Sequence, residues 1–138
     1  MDLRYAHEIG VNEYNSLRLS VGWGTICEAQ TKQVLTHSAY LVSCYDRDKA
    51  VGFARMIWNH DYIAFLADVM VLPHYQGMGI GRTMVEQCLS YMKSQVQENW
   101  RIKIVLTASK GKEQFYQKFG FSERPNSKCG AGMDLWLA

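Results

Sequence analysis

The chain predicts an α/β fold, a mixed sheet flanked by helices, on three observations. An apolar run from Tyr62 to Leu72 stops at Pro73, three glycines follow at Gly77, Gly79 and Gly81, and a helical pattern starts at once. Two earlier apolar runs reach it through connections too short for a crossover, so these strands form an antiparallel meander. The helix after the glycines leads into an alternating run, Arg101 to Thr107. A helical crossover sets that run parallel to Tyr62–Leu72.

Element by element, Leu3 to Ile9 is a first short strand. Asn12 is placed as N-cap of a helix carrying Tyr14, Leu17, Arg18 and Leu19, which ends near Gly22-Trp23-Gly24. Cys27 to His37 is a second, weaker helix. Ala39 to Tyr45 is a strand, residues 46–49 are a polar turn, and Ala50 to Trp58 is the next strand. After the glycines, Met84, Val85, Cys88, Leu89, Met92 and Val96 recur at three- and four-residue steps and form one apolar stripe. Gly111 to Phe119 is a short helix closed by Gly120. Phe121 to Arg124 and Met133 to Leu137 are expected to close the sheet around the 126–132 loop. The expected order is β-α-α-β-β-β-α-β-α-β-β, in a single domain over 1–138.

The glycine turn carries the chemistry. Strand, Gly-rich turn and helix start together make a cradle for a pyrophosphate, because glycine takes up positive φ and the first helical amides have no partner of their own. The spacing is not G-x-G-x-x-G, since Arg82 stands where the third glycine belongs, and no G-K-[S/T] triplet occurs. What stands there is Gln76-x-x-Gly79-x-Gly81. It resembles the Q/R-x-x-G-x-G/A signature of the Gcn5-related N-acetyltransferases (GNAT superfamily), which cradle the pyrophosphate of acetyl-CoA. A second segment, Phe115-Tyr116-Gln117-Lys118-Phe119-Gly120-Phe121, resembles that family's F-Y-x-K-x-G-F. The resemblance covers the chain from about Ala39 onward.

The resemblance implies acetyl-CoA as cosubstrate and direct transfer to a primary amine, with a small molecule as the expected acceptor. It puts Gln76, Gly77, Met78, Gly79, Ile80, Gly81 and Arg82 on the pyrophosphate. Val69, Met70 and Val71 lie along the pantetheine, where the strand splays from its parallel neighbour past a bulge. Ser109 stands where many relatives have a pantetheine-binding asparagine. Tyr116 takes the place of the acid that protonates the departing thiolate, a role suited to a phenol that is protonated at neutral pH. The plain structural alternative packs Tyr116 between Phe115 and Phe119 with its hydroxyl on a backbone carbonyl. Asp68 interrupts the apolar run just before the expected bulge, and three roles stay open for it: base, amine anchor, or brace for the bulge. Polyamine acetyltransferases carry a further acidic residue just before this position. Ala67 fills it here, which counts against a polyamine.

Composition sets the remaining bounds. In 138 residues, 48% hydrophobic and 20% charged describe one ordinary globular domain. A net charge of +2 without a dense basic run gives no reason to invoke nucleic acid. The start lacks the apolar core of a signal peptide, and no stretch reaches membrane-spanning length, so a cytoplasmic protein is expected. Cys27, Cys44, Cys88 and Cys129 form no C-x-x-C pair, and His7, His37 and His60 sit in no ligand spacing, so no metal is expected. Some relatives dimerise through terminal strands, which leaves a homodimer open. Two rival readings remain: a non-catalytic acyl-CoA-binding or sensing module, and an interaction protein whose glycines only shape a turn.

Overall fold

A computed structural model describes residues 1–138, which form two compact units, Met1–Val105 and Leu106–Ala138. The first holds β1 (Leu3–Ala6), α1 (Val11–Ser20), α2 (Glu28–His37), β2 (Tyr40–Asp46), β3 (Lys49–Trp58), β4 (Ile63–Val71), a 3-10 turn (Pro73–Tyr75), α3 (Ile80–Gln95) and β5 (Lys103–Val105). The second holds α4 (Glu113–Gln117).

The strands follow chain order across the sheet. β1 to β4 are antiparallel, and β5 pairs parallel with β4 after the α3 crossover. The meander and the crossover are as the loop lengths require, so the sheet is mixed. Alternation along β3 and β4 then divides the side chains between two faces. On one face α3 buries Ile80, Met84, Val85, Cys88 and Met92. Gly52 of β3 makes this approach possible: a Cβ there would sit 3.1 Å from both Ile80 Cγ2 and Met84 Cε. On the other face Tyr14 and Leu17 of α1 pack with Phe53 and Met70 into a second core. The Tyr14 ring meets Phe53 edge-on at 5.2 Å.

The loop after α1 is held by polar bonds. Asn15 Nδ2 donates to Thr31 Oγ1 at 3.0 Å, Asn15 Oδ1 accepts from the Ile26 amide at 3.0 Å, and Thr31 Oγ1 donates to Cys27 O at 2.9 Å. Trp23 packs against the core cluster beneath the Arg18 guanidinium.

Several boundaries differ from expectation. α1 starts one residue before Asn12 and is capped at Gly10, whose amide donates to Glu13 Oε1 at 2.9 Å. Glycine has no side chain to complete a capping box, so only the glutamate half of that exchange is made. β5 covers only residues 103–105 of the run expected to be strand. Val96 lies just past α3 and is exposed.

The largest correction concerns the end of the chain. Neither Phe121–Arg124 nor Met133–Leu137 is a strand. Alternating apolar character makes a strand only where a partner supplies the ladder, and a lone hairpin with such short arms is marginal. Here Asn126 organises the intervening loop instead, its Oδ1 accepting from the Lys128 and Cys129 amides at 2.9 and 3.0 Å. Met133, Leu135, Trp136 and Leu137 stay exposed.

Candidate functional site

The cradle is built as the glycine spacing implies. Gly77 and Gly79 take φ of +80 and +84, and Gly79 is the left-handed N-cap of α3. A non-glycine residue in that conformation costs about 1–2 kcal/mol. The first amide to close a bond back across the helix start is that of Thr83, onto Gly79 O at 3.0 Å. The amides from Gly77 to Arg82 precede it and donate to no protein acceptor. They form a row of free donors at the positive end of a sixteen-residue helix, a setting that favours an anion.

Neighbouring groups brace this turn. Ile80 is buried and anchors the helix start. Gln76 does not reach over the turn: its Nε2 donates to Val71 O at 3.0 Å and ties the turn to the end of β4. Tyr75 donates to Asp46 Oδ2 at 2.6 Å, and the Asp2 amide donates to Asp46 Oδ1 at 2.8 Å. That amide first, and the Tyr75 hydroxyl second, hold the Asp46 carboxyl below its ordinary range. Arg82 Nε lies 2.7 Å from Glu86 Oε1 on an exposed helix face. A surface pair of this kind is worth only about 0.3–0.5 kcal/mol, so it holds the guanidinium weakly. Met78 is half exposed, Gly81 lies in the first turn of α3, and His74 is exposed on the rim.

A groove leads up to the cradle. β5 pairs only with Ile63 to Phe65, so the β4 edge facing it is open from Leu66 onward. Val69, Met70 and Val71 lie on this open stretch, with Met70 and Val71 paired on their other side with Phe53 and Gly52 of β3. An unpaired strand edge offers backbone donors and acceptors to an extended ligand. The row of amides, and the open edge of β4 that precedes it in the chain by one short turn, have the donors and acceptors that suit the pyrophosphate and the amide-bearing arm of coenzyme A.

Asp68 sits where β4 gains an extra residue against β3, at the register shift between Phe53 and Arg55. It holds a left-handed backbone, φ +54, one of the few non-glycine residues to do so. Two donors converge on its Oδ2: the Tyr14 hydroxyl at 2.7 Å and Arg55 Nε at 2.7 Å. The Arg55 and Asp68 side chains are each only 15% exposed. Arg55 Nη1 reaches on to Ser38 Oγ at 3.4 Å. The Oδ1 of Asp68 has no partner in the chain and is open to solvent. Burial, followed by the Asp68 charge, pushes the Tyr14 hydroxyl up to about 12.

Sequence reasoning found Asp68 but not the residues that hold it. Arg55 carries the same signal that singled out Asp68, a lone charge in an apolar strand, and Tyr14 reads as an ordinary core aromatic. Tyr45 is a core residue whose hydroxyl donates to Glu13 Oε1 at 2.8 Å. Burial, followed by the bond to Glu13, pushes that hydroxyl up to about 12.

In the second unit, Tyr116 lies in α4 with its ring edge-on to Phe115 at 4.9 Å and to Phe121 at 6.2 Å. Its hydroxyl bonds to nothing in the chain, so the backbone-carbonyl alternative is not realised. Burial pushes it up to about 12. Ser109 lies in the exposed turn before α4, its carbonyl accepting from the Lys112 amide at 2.9 Å. Cys27 and Cys129 are exposed free thiols, and burial pushes the Cys88 thiol up to about 12.

These tyrosines imply an alkaline limit. Phenols with ordinary values near 10 ionise in the unfolded chain above that pH, whereas Tyr14, Tyr45 and Tyr116 hold their protons to about 12 when folded. The folded state then binds more protons, so stability falls as pH rises through this window. The urea midpoint is expected to begin falling near pH 9, the ordinary value of the buried Cys88 thiol, and to drop steeply by pH 11 as the phenols join it. A level midpoint at pH 11 would contradict the burial of these hydroxyls.

Known proteins agree with this geometry. The acetyltransferase (GNAT) domain family matches residues 36–123. An uncharacterised ycf52-like N-acetyltransferase from Prochlorococcus marinus is 31% identical over 91% of this chain and 68% of its own length. Its counterpart from Porphyra purpurea is 29% identical over 88% of this chain and 70% of its own. A Staphylococcus aureus protein described as a probable acetyltransferase superposes with a TM-score of 0.86 at 25% identity, covering 98% of this chain and 99% of that one. With signature, cradle and open strand edge all in place, the chain belongs to the GNAT acetyltransferase family.

Proposed function

We propose that residues 1–138 act as one N-acetyltransferase domain that moves the acetyl group of acetyl-CoA directly to a primary amine of a small molecule, within a ternary complex. The observation that carries this is the row of free amides from Gly77 to Arg82, which follows the open edge of β4 in the chain after one short turn. Acetyl-CoA supplies an activated thioester when bound. The backbone of Val69 to Val71 holds the arm, the glycine turn holds the pyrophosphate, and Ser109 gives a further hydrogen bond to the pantetheine.

The amine nitrogen attacks the thioester carbonyl carbon. A C–N bond forms, the C–S bond breaks, the nitrogen loses one proton and the thiolate gains one. Backbone amides beside the β4 bulge stabilise the oxyanion. Tyr116, protonated far above neutral pH, supplies the proton to sulfur. Asp68 presents Oδ1 to the amine. No nucleophile with an activating base stands in the site, so transfer needs no acyl-enzyme. The four unbridged cysteines support a reducing, cytoplasmic setting.

The test is free-thiol release from acetyl-CoA across polyamines, aryl-alkyl amines, amino sugars, amino acids and short peptides. Turnover with one class is expected. Acetyl-CoA at a hundred times its dissociation constant should stabilise the protein by about 2.7 kcal/mol. Gly79→Val, which forces a β-branched residue into φ +84, should abolish that stabilisation. Coenzyme binding without turnover on any amine would instead make the protein a sensor.

A further inference from the structure

The sheet face that carries Asp68 changes character along its length. Successive rungs on that face pair Phe53 with Met70, Arg55 with Ala67, and Ile57 with Phe65. The first rung is covered by Tyr14 and Leu17. The last is not covered: Ile57 is 40% and Phe65 45% exposed. Asp68 and Arg55 therefore stand at the boundary between the covered core and a bare apolar strip.

Charge at this boundary is already balanced. Arg55 neutralises Asp68 through Oδ2, which leaves one carboxylate oxygen as a hydrogen-bond acceptor rather than a net negative field. A polycation gains little there and meets the Arg55 guanidinium besides. A monoamine donates a hydrogen bond to Oδ1 and buries its carbon skeleton on the strip.

We infer that the acceptor is a hydrophobic monoamine of the aryl-alkyl or long alkyl class, its nitrogen held by Asp68 Oδ1 and its apolar body lying on Ile57 and Phe65. Arg55 and Tyr14 are positioning residues that fix the carboxylate in its left-handed site. The inference rests on the acetyltransferase reading, and it names the acceptor that the reading leaves general.

Titration calorimetry on the protein saturated with coenzyme A tests it without turnover, with phenethylamine, spermidine and glucosamine as ligands. Phenethylamine is expected to bind at least tenfold more tightly than either of the others. Phe65→Ala is expected to weaken it about tenfold, since the ligand loses the apolar surface on which its body lies. Phe65→Leu should restore most of the affinity. Because Phe65 is half exposed, both variants should melt near wild type. Equal or tighter spermidine or glucosamine binding would overturn the inference, as would an unchanged affinity in Phe65→Ala. Phenethylamine binding with no thiol release from acetyl-CoA would instead sink the catalytic reading and leave the acceptor surface standing.

Discussion

Tyr116→Phe is expected to lower kcat about 100- to 1000-fold while leaving the KM for acetyl-CoA and its thermal stabilisation at wild-type values. General acid catalysis by a positioned group contributes factors of about 10²–10⁴. The hydroxyl bonds to nothing else in the chain, so its removal leaves no orphaned partner, and the ring keeps its edge contacts with Phe115 and Phe121. A group used only in the transition state lowers kcat and kcat/KM together, whereas one that merely binds coenzyme raises KM. The pH profile gives a second readout. With the hydroxyl pushed up to about 12, kcat should not decline below pH 10 through loss of this acid. A kcat within threefold of wild type would return Tyr116 to a packing role.

How much of this was legible in the sequence depends on how local each feature is. The cradle was legible because its requirement is local: only glycine takes φ near +80 without penalty, and both Gly77 and Gly79 do so. Short connections made the antiparallel meander legible for a similar reason, since a chain cannot cross over in a few residues. The boundaries that moved depend on exchange between neighbours. Gly10 caps α1 because Glu13 reaches back to it, an exchange that displaced the stronger capping residue Asn12.

The closing strands were misjudged because a strand is a non-local object. Met133 to Leu137 alternates as a strand should, yet the alternation says nothing about whether a partner lies beside it. Partner choice also decided the side chains of the signature. Gln76 and Arg82, which the resemblance puts on the pyrophosphate, bond here to Val71 O and Glu86. The amides of the turn are the donors left free, as the glycine spacing before a helix start implies.

Asp68 and Arg55 show what a fuller reading would have used. Each is a lone charge in an apolar strand, the signs are opposite, and the strands are antiparallel neighbours. Pairing was the economical solution, because a buried charge without a partner costs several kcal/mol. The pair also explains how a non-glycine residue keeps φ at +54 within β4. Donors from α1 and β3 hold the side chain, and they offset the backbone penalty of about 1–2 kcal/mol.

The pair should therefore govern stability as well as the acceptor end of the site. Arg55→Ala is expected to cost about 3 kcal/mol, at the lower end of the range for breaking a buried pair, because both side chains keep some exposure. For a chain of this size that lowers the melting temperature by on the order of 10 °C. Asp68→Ala should cost a similar amount, stranding both Arg55 and the Tyr14 hydroxyl. The double variant should cost clearly less than the sum, since each single change already forfeits the shared contact. Arg55→Lys keeps the charge but loses the planar donor at Nε, and should fall between. Urea unfolding of the four variants measures all of this. Strict additivity would mean that Asp68 is held by the sheet alone. The acceptor would then meet a carboxylate free to turn rather than one fixed from two sides.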